Sequence, residues 1–439
     1  MAGIFKAYDI RGIYGQTINE KIVERIGRAL ATFLKCRQAV VGRDMRIHSG
    51  TLAEAFERGL TAQGADVIDL GLCSTPMSYY ANGLLGGEAG AMITASHNPG
   101  EWNGIKLSRA RAVPISGNTG IQDLERIVAA ESFDPPAAAP GRVSRYDILP
   151  EYRRHVAAFA RLRRPVRVAA DMANAMGLYE VRALEGLIEL TPLFDTLDGS
   201  FPNHEANPLK HETLAALQTA VRKGGFDFGV AFDGDADRVG FVDEQGQIVP
   251  MDLMTALIAQ DLLSREKGVV FYDLRSSWAV REVIAENGGT PMMSRVGHAF
   301  IKQQMREHNA LFAGELSGHY YFRENYFTES AALAVLCVAN LVSRSDRPLS
   351  ELIRPLRRYV ASGEINSTVR NPAAVLERLK RRYADGRLIT LDGVSVEYAD
   401  WWFNVRASNT EPLVRLNVEA RTRELMERKR DELVALMAE

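Results

Sequence analysis

Residues 39–71 read AVVGRDMRIHSGTLAEAFERGLTAQGADVIDLG and contain the pattern that decides the fold. The apolar runs AVVG and DVIDLG at its two ends predict strands, and Leu52, Phe56 and Leu60 between them share one face of a predicted helix. A strand, a helix and a second strand form a βαβ unit, in which the two strands are parallel and helices cover the sheet. The stretch therefore predicts an α/β domain with a mostly parallel, buried sheet.

The same alternation extends on both sides of this stretch and returns twice along the chain. Upstream, Asn19 is a predicted helix cap, and downstream the run GAMITAS at 90–96 predicts a further strand. The segment DPPAAAPG at 134–141 reads as a linker, because its prolines interrupt helices and central strands. After Arg357 strands dominate, with one helix before them and one at the end. We expect an α/β protein with three α/β units that form a weak internal repeat and a separate, smaller α+β domain, with boundaries at 1–141, 142–247, 248–357 and 358–439.

Composition limits the possible classes of protein. The chain has 439 residues, which at about 150 per domain corresponds to roughly three domains, with two to four acceptable. Its formal charge of −2 argues against nucleic acid as a partner, and its longest apolar run, at 331–339, is too short to cross a membrane. Charged residues near the amino terminus argue against a secretory signal, and three scattered cysteines suit a reducing cytoplasm.

Four polar loops follow predicted strands, where open α/β sheets place their ligands. Their sequences are TASHNP at 94–99, DGDADR at 233–238, GELSGH at 314–319 and RASNTEP at 406–412.

The first loop places a hydroxyl, Ser96, on a tight turn before Pro99. Ser96 is either a nucleophile or a serine that caps the next element. We expect no hydrogen bond between Ser96 and His97, because neighbouring residues on an extended segment point to opposite sides.

The second loop carries Asp233, Asp235 and Asp237, which would share one side of an extended segment. Three like charges need a cation, and hard oxygen ligands favour Mg²⁺ or Ca²⁺. An EF-hand is excluded because its sixth position would be Arg238 where glycine is required, and because a strand precedes the loop. The remaining alternatives are a solvated acidic turn and a structural Ca²⁺ module.

The other two loops offer groups for phosphate and for sugar hydroxyls. Arg406, Ser408, Asn409 and Thr410 are phosphate donors, although the same residues also suit an ordinary hairpin turn. Glu315, Ser317 and His319 suit sugar hydroxyls. His298, in RVGHAFIK, is either a helix-capping residue or a proton-transfer group.

These motifs, in this order and spacing, resemble those of the α-D-phosphohexomutases, specifically the bacterial phosphomannomutase/phosphoglucomutase group. The opening KAYDIRG at 6–12 also resembles the amino-terminal signature of that family. The resemblance implies an enzyme that interconverts hexose 1-phosphate and hexose 6-phosphate through a phosphoserine and a 1,6-bisphosphate. It implies a fold of three related mixed α/β domains and a smaller carboxy-terminal α+β domain around a central active-site cleft. It further implies Mg²⁺, glucose 1,6-bisphosphate as activator, sugar phosphates as substrates, and a monomer or homodimer.

The resemblance also implies roles for residues. Ser96 would carry the phosphoryl group and share Mg²⁺ with Asp233, Asp235 and Asp237. Lys106 and Arg238 would lie against the transferring group, and proton transfer would fall to His298 or to Lys106 with a depressed pKa. The implied substrate-binding residues are Tyr8, Arg11, Arg275, Glu315, Ser317, His319, Arg406, Ser408, Asn409 and Thr410.

Two positions depart from the family pattern, since Arg275 and Leu316 stand where Lys and Met are common. The loop GELSGH differs from the GEESFG of glucose-restricted mutases and from the GEQSGH of glucosamine mutases. A Mg²⁺-dependent sugar phosphatase and a phosphoglucosamine mutase remain alternatives, and the balance between mannose and glucose stays open.

Overall fold

Four β-sheets follow one another along the chain in the computed structural model of the protein, which describes residues 3–407 and 413–438. The first three sheets are mixed and carry helices, whereas the fourth is antiparallel throughout. The prediction of three mixed α/β domains and a carboxy-terminal α+β domain is confirmed. Within the described ranges, no helix is both long and apolar enough to cross a lipid bilayer.

The first sheet has the strand order β1-β5-β4-β2-β3-β7, with β6 paired to β5. Asn19 caps the first helix, as predicted, by accepting a hydrogen bond from Ile22 N at 3.1 Å. The elements are β1 Ile10–Ile13, α1 Glu20–Leu34, β2 Gln38–Arg43, α2 Ser49–Ala62, β3 Asp66–Leu72, α3 Thr75–Leu84, β4 Ala89–Ile93, β5 Trp102–Arg109, β6 Val113–Pro114, α4 Ile121–Ala130 and β7 Val143–Arg145.

The second and third sheets have the orders β12-β11-β10-β8-β9 and β14-β13-β15-β16-β17. The elements up to the end of the second sheet are α5 Leu149–Ala157, β8 Arg167–Asp171, α6 Gly177–Leu184, β9 Glu189–Leu193, α7 Ala215–Gly224, β10 Phe228–Phe232, β11 Val239–Asp243 and β12 Ile248–Val249. Those of the third unit are α8 Met251–Leu263, β13 Val269–Asp273, α9 Trp278–Glu286, β14 Thr290–Ser294, α10 His298–Glu307, β15 Phe312–Gly314, β16 Tyr320–Phe322, β17 Thr328–Glu329, α11 Ala331–Arg344 and α12 Leu349–Ile353.

The fourth sheet has the order β18-β23-β22-β21-β20, with β19 paired to β23. Its elements are β18 Val360–Ala361, β19 Ile365–Thr368, α13 Pro372–Arg382, β20 Arg387–Ile389, β21 Val394–Glu397, β22 Trp401–Ala407, β23 Leu413–Ala420 and α14 Arg423–Ala438.

Each of the four polar loops joins two antiparallel neighbours. The pairs are β4 with β5, β10 with β11, β15 with β16, and β22 with β23. The expectation of mostly parallel sheets is therefore wrong, because each of these loops turns the chain straight back beside the strand it has left. A helix between two strands predicts that the strands are parallel. A strand that follows a polar loop directly has no such helix before it, so its pairing was not predicted.

β7 pairs in parallel with β3 and extends the first sheet beyond residue 141. The predicted domain boundaries stay predictions.

One apolar core joins the first three units. It includes Met77 of α3, Val168 of β8, Phe232 of β10 and Leu333 of α11. Every residue of α11 except Leu341 and Arg344 is buried. The fourth unit has a separate core between its sheet and the helices α13 and α14. The first three units are thus one packed body in terms of buried apolar surface.

A buried carboxyl lies where the three joined units meet. Glu180 of α6 accepts hydrogen bonds from Ser74 Oγ, from Tyr152 Oη at 3.1 Å and from Ala332 N at 2.8 Å. Burial raises the pKa of Glu180 to about 7, although these donors oppose the rise.

We expect Glu180→Gln to become more stable relative to the wild type as pH rises. In the wild type, the Glu180 carboxyl ionises with a pKa of 4.5 in the unfolded chain and of about 7 in the folded protein. The free energy of unfolding therefore falls as pH rises from 4.5 to about 7, by at most about 3 kcal/mol. Glutamine has no charge to bury and avoids this loss. Thermal unfolding at pH 5 and pH 8 measures the difference. Glu185→Gln, an exposed change beside the same helix, is the control and should show no such trend.

Candidate active site

Ser96 lies at the carboxyl end of β4 on a sharply turned backbone. Its φ of 53° is left-handed, which is uncommon for a residue with a side chain, and its N–H donates to Thr94 Oγ1 at 2.9 Å. Its Oγ donates to Asp233 Oδ2 at 2.7 Å and lies 3.2 Å from His97 Nδ1. The expectation that Ser96 and His97 share no hydrogen bond is wrong, because the left-handed turn replaces the extended backbone that it assumed.

The acidic loop meets the Ser96 loop backbone to backbone. A Cβ at Gly234 would stand 2.2 Å from the Ser96 carbonyl oxygen, so only glycine permits this approach. Carboxylate oxygens of Asp233, Asp235 and Asp237 all lie within 4.8 Å of one another. They converge through a turn with Ala236 at φ 59°, and the extended segment expected from the spacing is not formed.

This carboxylate group fits a hard divalent cation. All three residues are buried, and Asp235 Oδ1 has no hydrogen-bond partner among the described residues. A buried, unpartnered carboxylate oxygen is costly unless a cation or a donor reaches it. Oxygen donors alone suit Mg²⁺ or Ca²⁺.

Lys106 of β5 supplies positive charge to the same group. Its Nζ lies 2.6 Å from Asp235 Oδ2 and 2.5 Å from Asp237 Oδ2. Burial alone would lower the pKa of Lys106, but these two carboxylates raise it well above its ordinary value. The expectation of a depressed pKa at Lys106 is therefore wrong for this structure, because ion pairing outweighs burial.

Arg238 and His319 connect the acidic loop to the third polar loop. Arg238 Nε lies 3.2 Å from His319 Nε2 and 3.9 Å from Asp233 Oδ2. His319 Nε2 also lies 3.3 Å from Asp237 Oδ1, and Ser317 Oγ lies 2.8 Å from His319 Nδ1.

Glu315 and His319 form a buried ion pair within the third loop, with Glu315 Oε2 3.3 Å from His319 Nδ1. Burial opposes the charge on both groups. Asp237 and Glu315 nevertheless raise the pKa of His319 to about 9, and the hydrogen bond from His319 helps to lower that of Glu315 to about 2. Gly297 N and Tyr321 Oη also donate to Glu315. Both side chains are thus held in their charged forms.

His298 is the first residue of α10 and lies beside Tyr8, with ring centroids 5.7 Å apart. Burial, with the charge of Lys302, lowers the pKa of His298 well below its ordinary value, so the imidazole is neutral. Burial raises the pKa of the Tyr8 phenol, and the charges of Arg295 and Arg406 oppose this. Because Arg295 belongs to the third unit and Arg406 to the fourth, the Tyr8 phenol faces both of these units.

The predicted substrate arginines all contact carboxylates or carbonyls in the structure. Arg11 donates to Asp9 at 2.7 Å, to the Ala95 carbonyl at 3.0 Å and to Asn98.

Arg275 pairs with Asp273 at 2.8 Å and approaches Glu364 at 3.6 Å, and Arg406 donates to Glu364 at 3.2 Å. Glu364 thus holds arginines of the third and fourth units together. Ser408, Asn409 and Thr410 lie outside the described residues.

Two groups at the site were missed by sequence reasoning. Arg46, with its partner Asp44, lies under the Ser96 loop, and Glu364 lies between Arg275 and Arg406. The signal for the first pair was available, because GRDMR at 42–46 follows β2 at the same sheet edge as TASHNP. Glu364 stands between two units and carries no comparable motif.

A buried serine lies beside clustered carboxylates on a four-unit α/β scaffold, with guanidinium groups after β13 and on β22. Four family models match the chain in order. They are the phosphoglucomutase/phosphomannomutase alpha/beta/alpha domains I, II and III at residues 2–135, 150–246 and 250–359, and the C-terminal domain at 364–436. The chain belongs to the phosphoglucomutase/phosphomannomutase family. The predictions of this superfamily and of an isomerase are confirmed.

Relatives match over nearly the whole chain. A phosphomannomutase of Escherichia coli strain K12 is 41% identical over 431 residues, which cover 95% of this chain and 94% of the relative. A protein of Xanthomonas campestris described as a phosphohexose mutase is 39% identical and covers 95% of each chain. The crystal structure of a phosphoglucomutase/phosphomannomutase family protein from Burkholderia thailandensis superposes with a TM-score of 0.91 at 32% identity, covering 99% of this chain and 96% of its own.

Proposed function

We propose that the protein interconverts hexose 1-phosphates and hexose 6-phosphates of mannose and glucose through phosphorylated Ser96. The observation that carries the proposal is the position of Ser96 Oγ, 2.7 Å from Asp233 Oδ2 within a group of three buried carboxylates. A hydroxyl held against a cation site is placed to take and return a phosphoryl group.

The proposed reaction has two transfers. Phosphorylated Ser96 gives its phosphoryl group to O6 of a hexose 1-phosphate, so that the Oγ–P bond breaks while the O6–P bond forms and O6 loses its proton. The bisphosphate turns around, and its C1 phosphoryl group then moves to Ser96 while the C1 oxygen regains a proton. The product is the hexose 6-phosphate, and glucose 1,6-bisphosphate would activate the enzyme by phosphorylating Ser96.

The residues around Ser96 suit these steps. Lys106 and Arg238 carry positive charge toward the carboxylate group, where the phosphoryl oxygens would gather. Lys106 is cationic and has no lone pair to accept the proton of O6, whereas His298 is neutral and would be the base, although a weak one because its pKa is lowered. Asp233, Asp235 and Asp237 would hold Mg²⁺, which when bound withdraws charge from phosphoryl oxygens.

The other loops would hold the substrate away from the reacting centre. Glu315 and Ser317 would bind sugar hydroxyls, with His319 fixing both of them. Arg275 and Arg406, together with Ser408, Asn409 and Thr410, would bind the phosphate that does not react, and Tyr8 and Arg11 would border the site. Cytoplasmic localisation and a monomeric or homodimeric state stay predictions.

Parallel assays of mannose 1-phosphate, glucose 1-phosphate and glucosamine 1-phosphate test the proposal, with Mg²⁺ and a trace of glucose 1,6-bisphosphate. We expect both 6-phosphates to form without free phosphate. Free phosphate as the main product would identify a phosphatase, and turnover of glucosamine 1-phosphate alone would identify a phosphoglucosamine mutase. Either outcome refutes the proposal.

Arg406→Ala should weaken substrate binding more than it slows chemistry. Loss of a desolvated, charge-assisted hydrogen bond costs about 1.5–3 kcal/mol, which corresponds to a rise in KM of roughly 10- to 150-fold. We expect kcat to stay within about threefold. Steady-state kinetics with glucose 1-phosphate measure both constants. Arg387→Ala is the control, since Arg387 is an exposed arginine of the same unit, paired with Glu397. An unchanged KM in Arg406→Ala would show that Arg406 does not bind phosphate.

A further inference from the structure

Arg46 lies completely buried beneath the Ser96 loop and donates to three backbone carbonyls of that loop and to one at the start of β5. Its Nη2 donates to Ser96 O at 2.8 Å and to Asn98 O at 2.6 Å. Its Nη1 donates to Pro99 O at 2.7 Å and to Trp102 O at 2.9 Å. The side chain is 0% exposed. One planar group therefore fixes the path of the chain from residue 96 to residue 102.

Asp44 and the second unit hold this guanidinium in place. Asp44 Oδ2 lies 3.2 Å from Arg46 Nε, and Asp44 Oδ1 accepts from Arg46 N at 3.0 Å. Phe201 of the second unit lies over the guanidinium at 5.2 Å. A Cβ at Gly199 would stand 2.8 Å from Arg46 Cα, so the backbone of the second unit closes directly on this residue.

These contacts hold the backbone of Ser96, from which Oγ extends to Asp233 Oδ2. Ser96 has a left-handed backbone, and its carbonyl oxygen is bound by Arg46 on one side and contacted closely by Gly234 on the other. Buried carbonyls that lose their donors are costly, so the loop would rearrange to find new ones. Lysine carries the same charge but has three donors on one atom and cannot reproduce the planar fork.

We propose that Arg46 is a positioning residue that sets the in-line placement of Ser96 Oγ for phosphoryl transfer. This inference rests on the proposed function. Arg46 donates only to backbone atoms of the loop, and it contacts Ser96 through the carbonyl oxygen. It therefore affects the position of Ser96, whereas the third and fourth units would bind the sugar phosphate. A displacement of about 1 Å in a reacting group can cost roughly 100-fold in rate.

The test measures phosphorylation of Ser96 in Arg46→Lys. Glucose 1,6-bisphosphate is mixed with the unphosphorylated enzyme and Mg²⁺, and intact mass follows the single turnover, in which the Oγ–P bond forms, a sugar–phosphate bond breaks and the hydroxyl proton passes to the leaving sugar oxygen. We expect the rate at saturation to fall at least tenfold, with the half-saturating concentration within threefold of wild type. A rate within threefold of wild type, or a loss confined to the half-saturating concentration, would overturn the inference.

Arg306→Lys is the matched control. Arg306 is a largely buried arginine that also donates to four carbonyls, those of Lys302, Arg111, Ala112 and Tyr326, but none belongs to the Ser96 loop. We expect Arg306→Lys to cost comparable thermal stability and to leave the transfer rate within threefold. If both variants lost transfer rate equally, the loss in Arg46→Lys would reflect stability alone, and the positioning role of Arg46 would be refuted.

Two further measurements keep the test decisive. If Arg46→Lys does not fold, Asp44→Asn removes the charge that holds the guanidinium, and a transfer rate within threefold of wild type in that variant would overturn the inference. Hydrogen exchange of the backbone amides in 95–102 needs no activity, and Arg46→Lys should speed it at least tenfold where Arg306→Lys does not. If wild-type Ser96 takes up no phosphoryl group, the proposed function fails. The exchange result then decides whether Arg46 positions the loop, and unchanged exchange would refute it.

Discussion

Ser96→Ala is expected to remove nearly all mutase turnover, by at least about a thousandfold, and to leave the fold intact. The Ser96 Oγ is the only atom of that side chain beyond Cβ, and its contacts are Asp233 and His97 at the site. Without it the proposed phosphoryl acceptor is gone, and a thousandfold loss corresponds to about 4 kcal/mol of barrier. Coupled assays of 6-phosphate formation measure the loss, and intact mass shows whether the variant can still be phosphorylated.

Ser343→Ala is the matched control for this variant. Ser343 is a buried serine of α11 that donates to Asn340 O and accepts from Arg163 N, and neither partner belongs to a polar loop. We expect it to change stability slightly and turnover less than threefold. Retention of more than a tenth of wild-type turnover by Ser96→Ala would refute the phosphoserine mechanism.

Removal of divalent metal should reduce turnover at least about a hundredfold, and Mg²⁺ should restore it. The physical reason is the group of three buried carboxylates, in which Asp235 Oδ1 has no donor among the described residues. Asp235→Asn should raise the Mg²⁺ concentration for half-maximal turnover at least tenfold, because it removes one of the three charges. Chelation with EDTA followed by Mg²⁺ titration of both proteins measures these effects.

Asp243→Asn serves as the control for the metal titration. Asp243 is a buried aspartate at the far end of β11 from the acidic loop, where it accepts backbone hydrogen bonds from Gln245 and Gln247. The Mg²⁺ concentration for half-maximal turnover of Asp243→Asn should match that of the wild type. Full turnover in EDTA, or an unshifted requirement in Asp235→Asn, would show that these carboxylates do not hold the essential metal.

The sequence predicted the units and the loops because those features are local. Helical periodicity between apolar runs identified the βαβ units, and each polar loop is a short motif at the end of a strand. The return strand after each loop was not predicted as an antiparallel partner. β5 and β11 follow loops of eight and six residues, and periodicity along a strand does not show which neighbouring strand it pairs with.

The electrostatics of the site could not be predicted in the same way, because they depend on contacts between units. Lys106 and Asp235 are far apart in sequence, yet their ion pair reverses the direction expected for the pKa of Lys106. The left-handed turn at Ser96 likewise depends on Gly234 and Arg46, which lie in other segments. Charge and backbone strain at this site follow from tertiary contacts.

The shared core of the first three units constrains how the protein is made. α11 lies near the end of the third unit, yet its apolar side chains complete a core that begins with Val40. A ribosome adds about 5–20 residues each second, so the early strands wait roughly 15 to 60 seconds before their last packing partner is synthesised. During that interval the face of the early strands that carries Val40 is exposed to chaperones and to other nascent chains, whereas the opposite face packs against α1, α2 and α4 within the first unit. The final unit, which has a core of its own, is free of this delay.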